Sequence, residues 1–316
     1  MVKIIKFRGK YLKNIIELFL EGNVIAFPTE TVYELGAIAT NKEAIDNIYR
    51  IKNRPTNNPL IAHFSDLTLI EKDTILNENA IKLADVFWPG PLTIILRKSL
   101  QCRISNNALS GLDTIAVRIP SHNIALSILN ELKLPIVAPS ANPSSYLSPC
   151  NAQHVKKSLG KKIKYIIDGG STIIGLESTI LDLTSDKPAL LRYGSITQEQ
   201  IEKVIGKIEV KEKEHKIIAP GMLDKHYSPI CPLRIGYDNP RNNEGLLAFG
   251  NDVPSESFAV VKNISEKGDL YEAARNFFSA LHELEDYNVS SIATMLVPNV
   301  GIGKAINDKL KRASYL

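Results

Sequence analysis

Apolar residues recur with two different periods along this chain, and each change of period marks an element. Consecutive or alternating apolar residues at 4–7, 24–27, 60–64, 92–96, 115–119, 134–138, 165–168 and 176–183 predict strands. Helical spacing puts Leu12, Ile15, Ile16 and Phe19 on one face, with Gly22 as the stop. Ala44, Ile45, Ile48 and Ile51 share a face in the same way. Further helices are expected within 75–87, over 124–132, and over 197–205, where Thr197 and Gln200 have capping-box spacing. Residues 29–33 read as a polar loop after a strand. From about 206 the pattern breaks. Residues 207–216 are charged, and two motifs rich in proline, glycine and aromatics follow, with neither period. Strands then return at 233–237, 245–249, 258–261 and 292–297, with a helix over 270–285 carrying Ala273, Ala274, Phe277, Phe278 and Leu281. The expected division is a first α/β domain over 1–205, an ordered linker over 206–231, and a small α/β domain over 232–316.

The stretch from Ile51 to Leu60 holds the first candidate chemistry. Arg54 and Asn58 each precede a proline, which biases them toward extended backbone. On an extended segment Lys52 and Arg54 would project side by side, as a seat for a polyanion or as a solvated basic turn. Arg118 is a cation inside an apolar strand, so it needs a nearby anion, either a protein carboxylate or a ligand. Pro139-Ser140-Ala141-Asn142-Pro143 follows a strand end and could donate hydrogen bonds to a phosphate, or simply close a tight loop. Neither GxxxxGK[ST] nor GxGxxG occurs.

Composition adds bounds. The 316 residues are 44% hydrophobic and 23% charged, with net charge +4 and a pI near 8.7. That fits a globular protein handling anions, whether small substrates or nucleic acid. Cys102, Cys150 and Cys231 lie far apart and suggest neither disulfides nor a zinc site, so a cytoplasmic location is expected. No signal-peptide core or membrane span is read from the sequence.

Six motifs in order, PTETVY, KNRPTNNPL, TIAVRIP, APSAN, LESTILDL and PGM…HYSP, together resemble one family. It is the YrdC-type L-threonylcarbamoyladenylate synthases, in their longer form with a C-terminal domain. The resemblance implies a twisted mixed sheet with flanking helices, a smaller Rossmann-like α/β domain, and a linker folding over the active site. It implies a nucleotidyltransferase that makes threonylcarbamoyl-AMP and pyrophosphate from L-threonine, bicarbonate and ATP. The product feeds threonylcarbamoyladenosine in tRNA through downstream transfer proteins. Threonine is then expected near Thr31, His63, Arg118, Ala138 and Ser178. ATP is expected near Lys52, Arg54, Asn58, Thr114, Ser140, Asn142, Ser148, Arg192 and Tyr227, with Lys52 and Arg54 as the catalytic pair. Mg²⁺ would accompany ATP without protein ligands, held by phosphates and water. For His63, a core histidine donating to a backbone carbonyl is the alternative. The chain departs from the family at Glu34 and Ser145, where glycine is usual, at Tyr193, where proline is usual, and at Leu223, Asp224 and Lys225. Two other functions stay open: a double-stranded RNA-binding module without catalysis, and a carbamoyl-adenylate module acting on another acceptor.

Overall fold

The computed structural model describes residues 2–211, 226–254 and 257–314, and there the expected alternation resolves into two sheets. The chain opens with β1 (Lys3–Lys6), α1 (Leu12–Leu20), β2 (Ile25–Pro28), β3 (Tyr33–Ile38), α2 (Lys42–Lys52) and β4 (Ile61–His63). It continues with α3 (Leu67–Asp73), β5 (Thr74–Ile75), α4 (Glu78–Phe87), β6 (Leu92–Lys98), β7 (Thr114–Arg118), α5 (Asn123–Leu132) and β8 (Ile136–Ala138). Then come α6 (Ala152–Leu159), β9 (Tyr165–Asp168), β10 (Thr179–Asp182), β11 (Ala189–Arg192), α7 (Gln198–Ile205) and β12 (Glu209–Val210). Their strands make one mixed sheet, ordered β1-β9-β2-β3-β8-β4-β7-β6-β10-β11-β12, with β5 beside β6.

Side chains alternate along each strand, so the sheet has two distinct faces. On one, Leu35, Ala62, Val117, Val137 and Leu181 pack with Ile45 and Ile48 of α2, Leu83 of α4 and Ile201 of α7. On the other, Phe27, Ile136 and Ala138 meet Phe19 of α1 and Ile128 of α5, with Ile61, Ile95, Ala116 and Ile180 as a separate apolar patch. By this alternation His63 and Arg118 belong to the face of Ile61 and Ala116.

The second unit contains β13 (Leu233–Ile235), β14 (Glu244–Ala248), β15 (Val260–Asn263), α8 (Leu270–Asp286), β16 (Ser291–Thr294) and α9 (Gly303–Ala313). Its four strands are parallel, in the order β13-β16-β14-β15. Phe277, Phe278 and Leu281 of α8 and Ile306 and Leu310 of α9 share one core with Val32, Leu147, Leu176 and Tyr227. Among the described residues, no helix is long and apolar enough to cross a membrane.

The periodicity misleads in identifiable places. Tyr33 belongs to β3, a wholly buried strand, and the polar loop expected over 29–33 ends one residue earlier. Glu34 broke the apolar pattern there because its charge is paired inside the protein. The strand expected over 176–183 is ladder-bonded only across β10. Helix α9 carries Lys304, Asp308, Lys309, Lys311 and Arg312, which hide its apolar stripe. The larger correction concerns Lys52 and Arg54. Lys52 is the last residue of α2, and Asn53 closes the helix in the left-handed conformation (φ 53°). The two cations therefore do not sit on an extended segment. The capping box at Thr197 and Gln200 forms as expected.

Candidate active site

Strand register builds the first half of the site. β4 and β7 run parallel with His63 opposite Arg118, while β8 places Ala138 opposite Ile61. Two polar side chains thus stand together on a sheet face whose neighbours Ile61 and Ala116 are apolar. Arg118 is 1% exposed, so its charge must be met nearby. Its Nη2 lies 2.6 Å from Glu30 Oε1, and its Nη1 lies 3.3 Å from Glu34 Oε1. It also donates to Thr31 Oγ1 at 3.1 Å and to the Gly90 carbonyl at 3.2 Å. Of the two partners that the sequence left open, the protein carboxylates Glu30 and Glu34 meet the charge in this structure. Burial alone raises the Glu30 pKa, but the Arg118 guanidinium more than reverses this and holds the carboxyl below its usual range. The second Glu34 oxygen is 2.9 Å from His63 Nε2, close enough for an ion pair though not aligned as a hydrogen bond. His63 is therefore not a core histidine anchored on a carbonyl. The family departure at Glu34 falls between the two polar residues of this half.

The second half is cationic and buried. Lys52 Nζ donates to the Ser140 carbonyl at 2.5 Å and to that of Asn142. Arg54 folds onto its own turn, with Nε donating to the Asn58 carbonyl at 3.0 Å and Nη2 to the Pro59 carbonyl at 2.8 Å and to Asn58 Oδ1. Arg192 donates to the Ser178 carbonyl and hydroxyl, both at 2.9 Å. Only glycine fits two residues on. A Cβ at Gly194 would lie 2.3 Å from the Thr179 nitrogen, so its absence lets the end of β11 press against Ser178. His226 stands edge-on to the Tyr227 ring, with centroids 3.9 Å apart.

These cations oppose one another. Burial, then Arg54, holds Lys52 well below its ordinary pKa, and burial brings Arg54 down to about 10. His226 is lowered by burial and then by Arg54, Arg192 and Lys52. Buried positive charges at each other's expense make a site that gains from a polyanion. Lys52, Arg54 and Arg192 are 1%, 8% and 7% exposed, too enclosed to track the backbone of a duplex RNA.

Arg54, Ala138, Ser140, Ser178 and Arg192 line one cavity together with Glu34, Glu177 and His226. The side chains fold it down to about 30 Å³. His63 and Arg118 adjoin it through Glu34, and Thr31 through Arg118. Asn58 reaches it through Arg54, and Ser148 through Glu177, which accepts the Ser148 hydroxyl, while Lys52 is not in the lining and stands behind Ser140, joining its carbonyl to that of Asn142. Tyr227 is wholly buried beside His226. Thr114 stands four residues before Arg118, at the other end of β7; continuing the β4–β7 register back from Ile61 and Ala116 sets it level with Pro59, whose carbonyl accepts from Arg54. The motif residues 220–222 and the departures Leu223, Asp224 and Lys225 lie outside the described residues. Glu30, Glu177 and His226 were given no role by the sequence reading, although each stands inside a quoted motif. Among the described residues, no three of His, Cys, Asp and Glu cluster as metal ligands.

Comparison with known proteins matches both units. A family model described as telomere recombination covers residues 17–194, and one described as threonylcarbamoyl-AMP synthase, C-terminal domain, covers 196–314. The chain is 40% identical to a threonylcarbamoyl-AMP synthase of Bacillus subtilis, over 94% of this chain and 91% of the relative. It is also 40% identical to one of Pyrococcus abyssi, over 93% and 91%. A crystal structure of P. abyssi Sua5 complexed with L-threonine superimposes with a TM-score of 0.91 at 36% identity, covering 99% of this chain and 97% of that one.

Proposed function

The chain belongs to the threonylcarbamoyl-AMP synthase family, and we propose that it joins L-threonine, bicarbonate and ATP into threonylcarbamoyl-AMP and pyrophosphate. The family's product serves threonylcarbamoyladenosine modification of tRNA. One observation carries the assignment of the site: a paired Arg118–His63 half adjoins a half made of the buried cations Lys52, Arg54 and Arg192. The first suits an amino acid and the second a triphosphate. In this reading Thr31, His63, Arg118, Ala138 and Ser178 surround threonine. Lys52, Arg54, Asn58, Thr114, Ser140, Asn142, Ser148, Arg192 and Tyr227 surround ATP.

The chemistry needs no covalent protein intermediate. Threonine's free amine takes up bicarbonate with loss of water, and the resulting N-carboxylate attacks the α-phosphorus. The bond to the β-phosphate breaks and pyrophosphate leaves with its electron pair. Lys52, Arg54 and Arg192 stabilise the charge that develops on the phosphate oxygens, and the site, once widened from its present volume of about 30 Å³, fixes the reactants in line. Arg54 and Arg192 now bond backbone carbonyls, so both must turn toward the phosphates when ATP binds. Mg²⁺ enters as part of the nucleotide substrate, since the carboxylates nearby already face cations: Glu30 and Glu34 face Arg118, and Glu177 faces Lys309. Downstream transfer proteins consume the product. A cytoplasmic setting is supported by the free thiols of Cys102, Cys150 and Cys231. The catalytic domain over 1–205, linker over 206–231 and C-terminal domain over 232–316 remain our division, with the note that β12 joins the first sheet beside β11.

The decisive test is pyrophosphate release with ATP, Mg²⁺ and candidate amino acids, with the adenylate identified by mass. Release should require both threonine and bicarbonate. Equal release with serine, or with no amino acid, would point to the other-acceptor reading. A second expectation follows from Glu34, whose carboxylate occupies Arg118 and His63 and so competes with threonine's carboxylate. Glu34→Gln should lower the KM for threonine several-fold and leave that for ATP unchanged. A raised threonine KM would mean that Glu34 instead holds the substrate's ammonium.

A further inference from the structure

Three side chains of the proposed nucleotide half converge on a residue of the other domain. Lys309, on α9, is wholly buried. Its Nζ donates to the Tyr193 carbonyl at 3.0 Å, one residue after Arg192. It stands 3.6 Å from Glu177 Oε2, whose partner oxygen accepts the Ser148 hydroxyl. It also sits over the Tyr227 ring, 5.1 Å from the centroid. Arg192, Ser148 and Tyr227 are thus each held, directly or through one neighbour, by a single ammonium. That second Glu177 oxygen has no hydrogen-bond donor among the described residues, and the ammonium at 3.6 Å meets its charge as an ion pair.

We propose that Lys309 is a positioning residue for ATP: the C-terminal domain completes the nucleotide half by neutralising and orienting Glu177. The proposal rests on the functional reading above, because it takes the Arg192 half to receive the triphosphate. Glu177 lines the cavity among cations that serve phosphate. Unneutralised, its carboxylate would repel the incoming anion and draw Arg192 toward itself. With Lys309 behind it, the charge is met from outside the cavity, and the carboxylate is left to fix the Ser148 hydroxyl. A lysine that only glued two domains together could sit anywhere along their shared core. This one is placed at the wall of the site, and burial lowers its pKa while Glu177 pulls it back up.

The test uses the full chain with Lys309→Met, Lys309→Arg and the double change Lys309→Met with Glu177→Gln. ATP affinity is read by calorimetry, both KM values by threonine-dependent pyrophosphate release, and stability by thermal melting. Lys309→Met should weaken ATP binding about tenfold or more and leave the threonine KM within about twofold. Lys309→Arg should restore most of the affinity, and Glu177→Gln should relieve the methionine variant. If Lys309→Met does not fold, the double variant, which leaves no lone buried charge, carries the comparison with Glu177→Gln alone. Wild-type ATP affinity in Lys309→Met overturns the proposal, as does a parallel rise of both KM values that tracks a lost melting temperature. A wild-type chain that binds no ATP would sink the functional reading first and this one with it.

Discussion

Arg118→Leu is expected to cost the fold about 3–5 kcal/mol, because it strands two buried carboxylates. Glu30 and Glu34 both rest on that guanidinium, and Glu30 and Arg118 are each 1% exposed. The loss should depend on pH in a way that identifies its cause. In the wild type, the Glu30 carboxyl lies below its ordinary value of 4.5, so the pair's stabilisation is present above that value and fades as pH falls through the lowered one. Without the guanidinium, burial is the largest remaining influence and pushes the pKa up, against the weaker pull of backbone hydrogen bonds from Glu30 and Ser121. The variant's carboxylate then costs stability at neutral pH, and acidification relieves the cost. Urea unfolding of both proteins at neutral pH and near pH 4 should show the gap narrowing at the lower pH. A gap that stays constant would mean that packing, and not charge, is what Arg118 supplies. Adding Glu30→Gln to Arg118→Leu should recover part of the loss at neutral pH.

Arg54→Ala should lower turnover by roughly 10²-fold or more, the usual size for a donor that stabilises developing charge. The geometry adds a complication, since Arg54 also latches the turn from Pro55 to Pro59 through three hydrogen bonds. Arg54→Lys separates the two roles. It keeps a positive charge but loses the planar fork that holds the Asn58 and Pro59 carbonyls. If charge on phosphate is what matters, the lysine variant should recover much of the turnover lost by alanine, even where melting shows a loosened turn. If the two variants lose activity equally and in step with stability, Arg54 is a latch and its place in the catalysis fails.

The strands that carry the site were legible because their apolar runs are short, pure and bounded, as around Arg118 in β7. The ionic partners were not. Glu30 and Glu34 look like loop residues in sequence, because nothing local says that the chain turns back to form β3 and points carboxylates at β7. Lys52 was placed on the wrong backbone for a physical reason. The pre-proline bias acts on Arg54 and Asn58 but does not reach Lys52, and Asn53 can take the left-handed turn that lets α2 run one residue further. His226 and Lys309 come from far along the chain: α9 holds the His226 N–H on the Arg312 carbonyl and sets Lys309 behind Glu177, one of the cavity's lining residues.

The core shared by the two units also bears on how the protein is made. Val32, Leu147 and Leu176 leave the ribosome long before Phe277, Phe278, Leu281, Ile306 and Leu310, which are what cover them. At synthesis rates of about 5–20 residues per second, the first sheet waits several seconds with an apolar patch beside its own active site. Completion of that wall is thus delayed until the last helix is translated, and a chain that stalls early is both inactive and adhesive.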